Sequence, residues 1–305
     1  MDHPLLSRRH LVRGFAAGAT LLGEVAAAAA ETCTVESAKG TAQVQRGYVT
    51  GRNGQVHYRI ARGCGGGRPL LLLHPSPLSG EVFELFMREI GRDRTVVAPD
   101  TPGYGHSDPT AVPPGIADYA AAMHEFAQRL RLGRCDVMGY HTGSATAVEM
   151  AHQQPRRIGS LVLVGLGLYT DEELAAARAG YAPRPVGERP AMLAKRWPSF
   201  RDQGWRMTCG DARALNILLE SHRNADRSQW GFMASQAYPL GERLRTLGSR
   251  VLVLCPEDDL WNDTRRAQAL LRNGRLDELP GWTHGFLDAK ANEVAQRVRA
   301  FTDAA

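Results

Sequence analysis

The sequence lacks a basic block, a membrane-length apolar run outside its first thirty residues, and any internal repeat. Its formal net charge of +5 is spread along 305 residues, which argues against nucleic acid as a partner. Without a second long apolar run, we expect no stable membrane insertion once the first thirty residues have been removed. The remaining residues, about 275, are enough for one large domain or a domain carrying an insertion.

Cysteine is also scarce, and its spacing excludes the common zinc motifs. The five cysteines form no Cys-x-x-Cys pair and no Cys/His cluster with ligand spacing. Cys135 and Cys255 lie in apolar, strand-like runs, so we expect them to be small core residues. Cys33 and Cys64 could pair in an oxidising compartment, although spacing alone does not fix this, and the odd count leaves at least one free thiol.

The first thirty residues have the form of a twin-arginine export signal. Arg8 and Arg9 precede a weakly apolar run that ends in alanines 26–30. Glycines and Glu24 interrupt this run, which suits a cleaved leader better than a membrane anchor. We therefore expect cleavage near Ala30 and a periplasmic or secreted protein. The alternative interpretation is a disordered, alanine-rich tail.

The mature region alternates strand and helix signals, which predicts an α/β fold with a mostly parallel sheet covered by helices on both faces. The run 69–74 is continuously apolar, as expected for a strand buried on both faces. One interval of about eighty residues, 170–248, is rich in helical pattern, proline and tryptophan, and it is too long for a simple crossover. We predict that it is an inserted helical lid, with the core formed by 31–169 and 249–305.

Four predicted strand ends carry polar residues that could perform chemistry. Because the carboxyl ends of parallel strands lie at one edge of a sheet, loops at these ends converge over a common site. The four segments are His74-Pro-Ser-Pro77, Gly139-Tyr-His-Thr-Gly143, Pro256-Glu-Asp-Asp259 and Gly281-Trp-Thr-His-Gly285.

In this order the segments resemble those of the α/β-hydrolase superfamily, in the lid-bearing branch that includes epoxide hydrolases, haloalkane dehalogenases and proline iminopeptidases. The loop Asp100-Thr-Pro-Gly-Tyr-Gly-His-Ser-Asp108 matches as well. The resemblance therefore covers almost the whole mature region. The nucleophile position precedes the acid, and the acid precedes the histidine, as in the superfamily. The resemblance implies an eight-stranded, mostly parallel sheet and a small-molecule substrate, with neither a cofactor nor a metal.

The resemblance also implies roles for the matching residues. His284 corresponds to the general base, and Asp259 to the acid that orients it. The competing acids are Asp258, Glu257 and, more remotely, Asp171. The oxyanion hole would use the backbone N–H groups of Thr142 and Ser76, since Pro75 has no N–H to donate.

The sequence departs from the family pattern at the nucleophile, where His141 stands in the place of the usual serine. His141 could attack the substrate itself, or it could form an acid/base pair with His284. A metal site made of His141, His284 and Asp259 is disfavoured, because the fold should put Asp259 behind His284 rather than beside it. The leading hypothesis is an exported hydrolase with an atypical catalytic triad, His141, Asp259 and His284, that cleaves an ester, lactone or similar bond. The alternatives are a cofactor-free lyase or isomerase and an inactive ligand-binding protein.

Overall fold

The centre of the fold is an eight-stranded sheet in the strand order β1-β2-β4-β3-β5-β6-β7-β8. The computed structural model describes residues 40–304, apart from 181–184, 203–204 and 206–208. Strands β3 to β8 run parallel, while β1 and β2 form an antiparallel hairpin at one edge. The predicted mostly parallel sheet is therefore confirmed. The strands are Val44–Gly51, Gly54–Ala61, Leu70–Leu73, Val96–Pro99, Cys135–Tyr140, Ile158–Val164, Arg250–Pro256 and Gly274–Leu279.

Eleven α-helices are numbered here in chain order within the described residues. They are α1 Glu84–Ile90, α2 Ile116–Arg129, α3 Thr142–Gln153, α4 Asp171–Gly180, α5 Arg189–Asp202, α6 Asp211–Glu220, α7 Trp230–Ala237, α8 Leu240–Thr246, α9 Trp261–Arg265, α10 Phe286–Ala289 and α11 Ala291–Thr302. The apolar periodicity of residues 116–132 and 289–301 predicts a helix in each range, and the small residues after the segment Gly139–Gly143 predict another. All three are present, as α2, α11 and α3, with ends shifted by three residues or fewer.

Alternation along strand β3 divides the core into two layers. Leu70 and Leu72 pack in one layer with residues of α1 and α11, whereas Leu71 and Leu73 pack in the other with residues of α2, α3 and α8. All four leucines are fully buried. This arrangement explains the continuously apolar run, since a strand with helices on both faces has no solvent side.

The described elements between β6 and β7 are all helical. They comprise α4 to α8 and a short 3-10 turn at Val186–Glu188. The last helix, α8, packs in the core layer with α3 through Leu240 and Leu244. Where the insertion begins and ends as a separate domain, and whether it closes as a lid, stay predictions.

The amino-terminal predictions cannot be compared with the structure, because the leader and Cys33 lie outside the described residues. Cys135 and Cys255 are buried free thiols, as expected for core residues. In the described part of the chain, none of the helices combines the length and apolar character needed to cross a bilayer.

Candidate active site

A sharp turn between β5 and α3 presents His141 at the carboxyl end of the sheet. His141 has φ 49° and ψ −113°, a backbone conformation that side-chain-bearing residues rarely adopt. A Cβ atom on Gly139 would overlap the carbonyl oxygen of Gly143, and one on Gly143 would overlap the carbonyl oxygen of Leu73. The flanking glycines are therefore required by close backbone approach, as the sequence pattern predicts.

The His141 side chain is held by an aspartate at the end of β7. Its Nε2 lies 2.9 Å from Oδ2 of Asp258, whose side chain is fully buried. The other carboxylate oxygen of Asp258 accepts a hydrogen bond of 2.9 Å from the backbone N–H of Leu260. The second imidazole nitrogen, Nδ1, has no hydrogen-bond partner among the described residues, and it is not sealed from solvent.

Gly165 creates the space in which the His141 ring lies. Strand β6 separates β5 from β7 in the sheet, so His141 must reach across the end of β6 to contact Asp258. Gly165 directly follows β6 and has φ +61°. A Cβ atom there would overlap Cδ2 of the imidazole. A ring as large as histidine can occupy this turn because the residue that follows the neighbouring strand is glycine.

His284 makes a separate pair with the next aspartate in the sequence. Its Nε2 lies 3.0 Å from Oδ1 of Asp259, the orienting acid that the resemblance implied. Its Nδ1 lies 3.3 Å from the hydroxyl of Tyr140. The indole of Trp205, from the helical insertion, stacks on the imidazole with 8° between planes and 5.4 Å between centroids. Both ring nitrogens of His284 are thus engaged.

The two histidines are neighbours, but each is bonded to its own aspartate. Their ring centroids are 6.0 Å apart and their planes are inclined by 75°. Among the described residues, no hydrogen bond joins the two rings. The acid/base pair considered from the sequence therefore takes the form of two His–Asp pairs, His141–Asp258 and His284–Asp259, that face one pocket.

The loop after β3 forms the opposite wall of this pocket. Ser76 lines the pocket, and its peptide bond to Pro77 is cis. Thr142 begins α3 and is buried. Neither the Ser76 nor the Thr142 backbone N–H donates a hydrogen bond to another described residue. Both donors are free to bind an oxyanion, and that role stays a prediction.

His74 lies below this loop and has a structural role. Its Nδ1 donates to the carbonyl oxygen of Pro75 at 3.0 Å, and its Nε2 accepts from the backbone N–H of Thr101 at 2.9 Å. Burial lowers the pKa of His74, which keeps the ring neutral in this arrangement. These bonds connect the end of β3 to the loop at Thr101 and hold the Pro75–Ser76 loop from below.

The cavity between these walls is small, about 100 Å³. Its lining includes both histidines, the hydroxyl-bearing Tyr140 and two aromatic residues of the insertion, Trp205 and Phe232. Such a cavity admits a group of a few heavy atoms at the reacting centre.

A family model described as the alpha/beta hydrolase family matches residues 70–297. The chain belongs to the α/β-hydrolase family. Relatives include the 2-hydroxy-6-oxo-2,4-heptadienoate hydrolase of Pseudomonas putida, 31% identical over 105 residues, which are 33% of this chain and 38% of that protein. An uncharacterized protein of Mycobacterium tuberculosis is 30% identical over 140 residues, 45% of this chain and 40% of that protein. The chain thus spans less than half the length of these curated relatives.

Solved structures support the same α/β-hydrolase fold. A thermophilic esterase from Thermogutta terrifontis superposes with a TM-score of 0.68 and 20% sequence identity, covering 85% of this chain and 98% of that chain. At this level of identity, the likeness is one of fold.

The charges around this α/β-hydrolase site shift the pKa values of His141, Asp259 and Tyr140. Burial lowers the pKa of His141, but the hydrogen bond and charge of Asp258, with a contribution from Asp259, raise it above its ordinary value. Burial would raise the pKa of Asp259, yet the hydrogen bond from His284 and the nearby imidazoles hold it well below its usual range. Burial and both aspartates raise the pKa of the Tyr140 hydroxyl well above normal. Tyr140 is therefore a neutral hydrogen-bond donor near pH 7.

Metal binding can be tested against the donor atoms. Among the described residues, the set around His141 whose donor atoms lie within 4.8 Å of one another is His141, Asp258 and Asp259, not the set with His284 that the sequence already disfavoured. However, Nε2 of His141 and Oδ2 of Asp258 are hydrogen-bonded to each other, so an ion would have to displace that bond. A second group of possible ligands is His57, Asp100 and His106. There an ion would have to displace the 2.8 Å hydrogen bond between Nδ1 of His57 and Oδ2 of Asp100. The absence of a metal stays a prediction.

Three functional features were missed from the sequence. Asp258 was considered only as a competitor for His284, whereas it holds His141. Tyr140 was not singled out, and neither was Gly165. The available signal was the doublet Asp258-Asp259 at a strand end, because consecutive residues there point in different directions and can serve different partners. The competing acids Glu257 and Asp171 contact neither histidine: Glu257 accepts from the backbone N–H of residue 281, and Asp171 begins α4.

Proposed function

We propose that this protein is an exported hydrolase that cleaves an ester, lactone or similar bond in a small molecule, with His141 as the general base. The observation that carries the proposal is the state of the His141 ring. One nitrogen is fixed by the buried Asp258 carboxylate, and the other has no hydrogen-bond partner among the described residues. His141 lines the cavity together with Ser76, whose backbone N–H donates to no other described residue. A base oriented by a carboxylate is the central element of hydrolytic sites.

The geometry favours activation of water over direct attack by the imidazole. Nδ1 is flanked by Cγ and the main chain, so it is more crowded than Nε2, which is turned toward Asp258. A proton on a small water molecule is easier for Nδ1 to reach than a carbonyl carbon. In this mechanism His141 takes a proton from water, the oxygen adds to the carbonyl carbon, and the N–H groups of Ser76 and Thr142 stabilise the oxyanion.

Family membership supports the reaction class. One relative carries the name of a hydrolase and one structural neighbour is an esterase, so hydrolysis at a carbonyl carbon is in keeping with the fold. The small cavity favours short acyl groups at the reacting centre.

A panel of short-chain esters and lactones tests the proposal. With alkyl esters and lactones, whose leaving oxygens are strongly basic, we expect His141→Ala and His284→Ala each to abolish turnover, whereas His106→Ala, a change at an exposed histidine outside the pocket, should leave it intact. All variants should be compared by thermal unfolding to establish that they fold. Turnover that survives both pocket substitutions would contradict this assignment of the site.

A second candidate function is a cofactor-free lyase or isomerase. It is favoured by the presence of two separate His–Asp pairs at one pocket, since such a site could remove a proton at one point of a substrate and return it at another. Reaction in heavy-oxygen water separates the two functions. Hydrolysis must place solvent oxygen in the product acid, whereas isomerisation does not.

Export by the twin-arginine route is part of the proposal and is tested separately. The full chain, expressed in a bacterium with a functional twin-arginine pathway, should reach the periplasm or medium and lose about thirty residues. Replacing Arg8 and Arg9 together by lysine should retain it in the cytoplasm. Equal export of both forms would exclude this route.

A further inference from the structure

We infer that Tyr140 is the proton donor to the leaving group, supplied by the relay Tyr140–His284–Asp259. The inference rests on the proposed hydrolysis and extends it. It assigns the second half of the reaction to the residue directly before His141, which lies inside the segment Gly139–Gly143 but has no role in the sequence motif.

The contacts of Tyr140 connect it to the His284–Asp259 pair. Tyr140 ends β5, and its ring meets the His141 ring edge to face at 4.5 Å between centroids. Its hydroxyl is 3.3 Å from Nδ1 of His284, whose Nε2 is 3.0 Å from Asp259. Tyr140 lines the pocket together with both histidines. The three groups therefore form a continuous chain from a carboxylate to the substrate cavity.

His284 cannot easily serve the substrate directly in this arrangement. Both of its ring nitrogens are engaged, and Trp205 covers one face of the ring. Tyr140 contacts both histidines: its hydroxyl is 3.3 Å from Nδ1 of His284, and its ring centroid is 4.5 Å from that of His141, the base. Its raised pKa also disfavours a role as phenolate nucleophile and suits a hydroxyl that remains protonated until the leaving oxygen takes its proton.

The proton that His141 takes up is balanced by the proton that the Tyr140–His284–Asp259 relay gives to the leaving group. In the first step, Nδ1 of His141 accepts a proton from water as the water oxygen bonds to the carbonyl carbon. In the second step, the carbon–oxygen bond to the leaving group breaks and the leaving oxygen keeps the electron pair. It accepts the hydroxyl proton of Tyr140, and Tyr140 regains a proton through Nδ1 of His284. Exchange with solvent then removes the proton from His141 and restores the one on His284, so the net reaction consumes one water.

This division of work predicts that the need for Tyr140 depends on the leaving group. An ethoxide is strongly basic and must be protonated as it leaves, whereas 4-nitrophenolate leaves without a proton. Ethyl and 4-nitrophenyl esters of acetate and butyrate therefore form matched pairs with the same acyl group. For Tyr140→Phe we expect kcat/KM to fall about 100-fold or more with ethyl esters and less than about threefold with 4-nitrophenyl esters.

The control substitution is Tyr58→Phe, at a tyrosine on β2 that packs against Phe126 and does not line the pocket. It should leave both classes of ester unaffected. A second variant, His284→Gln, removes the proton source and should show the same dependence on the leaving group as Tyr140→Phe. The double variant should lose little more than either single variant, because both changes break one relay.

The outcomes separate this inference from the proposed function. Equal losses on both ester classes, or no loss on either, would overturn the assignment of Tyr140 while leaving His141 as the base. Activity of Tyr140→Phe on 4-nitrophenyl esters also shows that the variant folds. If the wild-type protein hydrolyses no ester of either class, the proposed function fails, and the inference fails with it.

Discussion

Replacing Asp258 by asparagine should inactivate the protein with almost no change in its shape. The asparagine amide oxygen can keep the hydrogen bond that Leu260 N–H now donates to Oδ1 of the carboxylate. The NH2 group then points to Nε2 of His141, which must accept a hydrogen bond instead of donating one. The proton of the neutral imidazole moves to Nδ1, the nitrogen that should remove a proton from water.

The expected loss is large because the base is held in the wrong tautomer. An aspartate-to-asparagine change behind a catalytic histidine lowers kcat by on the order of 10⁴-fold in the serine proteases, about 5.5 kcal/mol in the barrier. We expect a comparable effect here, since the Asp258 side chain is fully buried and is 2.9 Å from the ring. Asp263→Asn, which changes a nearby carboxylate paired with Arg266, is the matched control and should retain activity.

The pH dependence of kcat/KM and of stability tests the His141–Asp258 pair independently, because the direction of each change with pH is fixed by the raised pKa of His141. Asp258 raises the pKa of His141 above 6.5, so wild-type kcat/KM should rise with pH through that raised value. The same interaction should stabilise the fold fully below pH 6.5, and this stabilisation should fade as pH rises through the folded-state pKa. In Asp258→Asn, the increase of the residual kcat/KM with pH should occur at a lower pH than in the wild type. The decrease in stability with rising pH that is due to the His141–Asp258 interaction should become smaller.

Steady-state kinetics between pH 5 and 9, with thermal unfolding over the same range, would test these expectations. The range is chosen to bracket the 6.5 reference value of the His141 imidazole. Full activity in Asp258→Asn, with the acidic limb of the profile unmoved, would refute the role of the His141–Asp258 pair.

Two further substitutions test how the rings are positioned. Gly165→Ala should force the His141 ring from its place and add backbone strain of about 1–2 kcal/mol, because Gly165 has φ +61°. Its kcat should fall at least tenfold by steady-state assay, whereas Gly187→Ala, at a position with open space around it, should be neutral. Trp205→Ala should remove the stacking on His284 and lower both kcat and Tm, and Trp205→Phe should restore most of the loss. Unchanged kinetics in the first variant, or in Trp205→Ala, would contradict the corresponding contact.

The fold was predictable because its signals are local. Four consecutive leucines, 70–73, predict a strand buried on both faces, and Asn53-Gly54 predicts the hairpin that starts the sheet. The glycines of the turn are equally informative, because backbone crowding forbids a side chain at Gly139 and Gly143.

Which aspartate bonds to which histidine was less predictable, because these contacts depend on the directions of side chains at the ends of three neighbouring strands. The order of motifs placed Asp259 beside His284, and the structure has this pair. Nothing local to Asp258 indicates that it would reach the histidine at the end of β5. That contact depends on Gly165 at the end of the intervening strand, more than ninety residues before Asp258 in the sequence. Helix bounds in the insertion were unpredictable for a related reason: its packing partners, rather than its proline-rich sequence, decide where each helix ends.

The most direct test of the account is the turnover of short-chain esters by the wild type and by His141→Ala, measured side by side. Removal of the imidazole eliminates the base while leaving Asp258, the His284–Asp259 pair and the oxyanion donors in place. If His141 is the base, the wild type hydrolyses the esters with solvent oxygen in the product, and kcat falls by at least about 10³-fold in the folded variant. Comparable hydrolysis by the two proteins would show that the chemistry does not depend on His141.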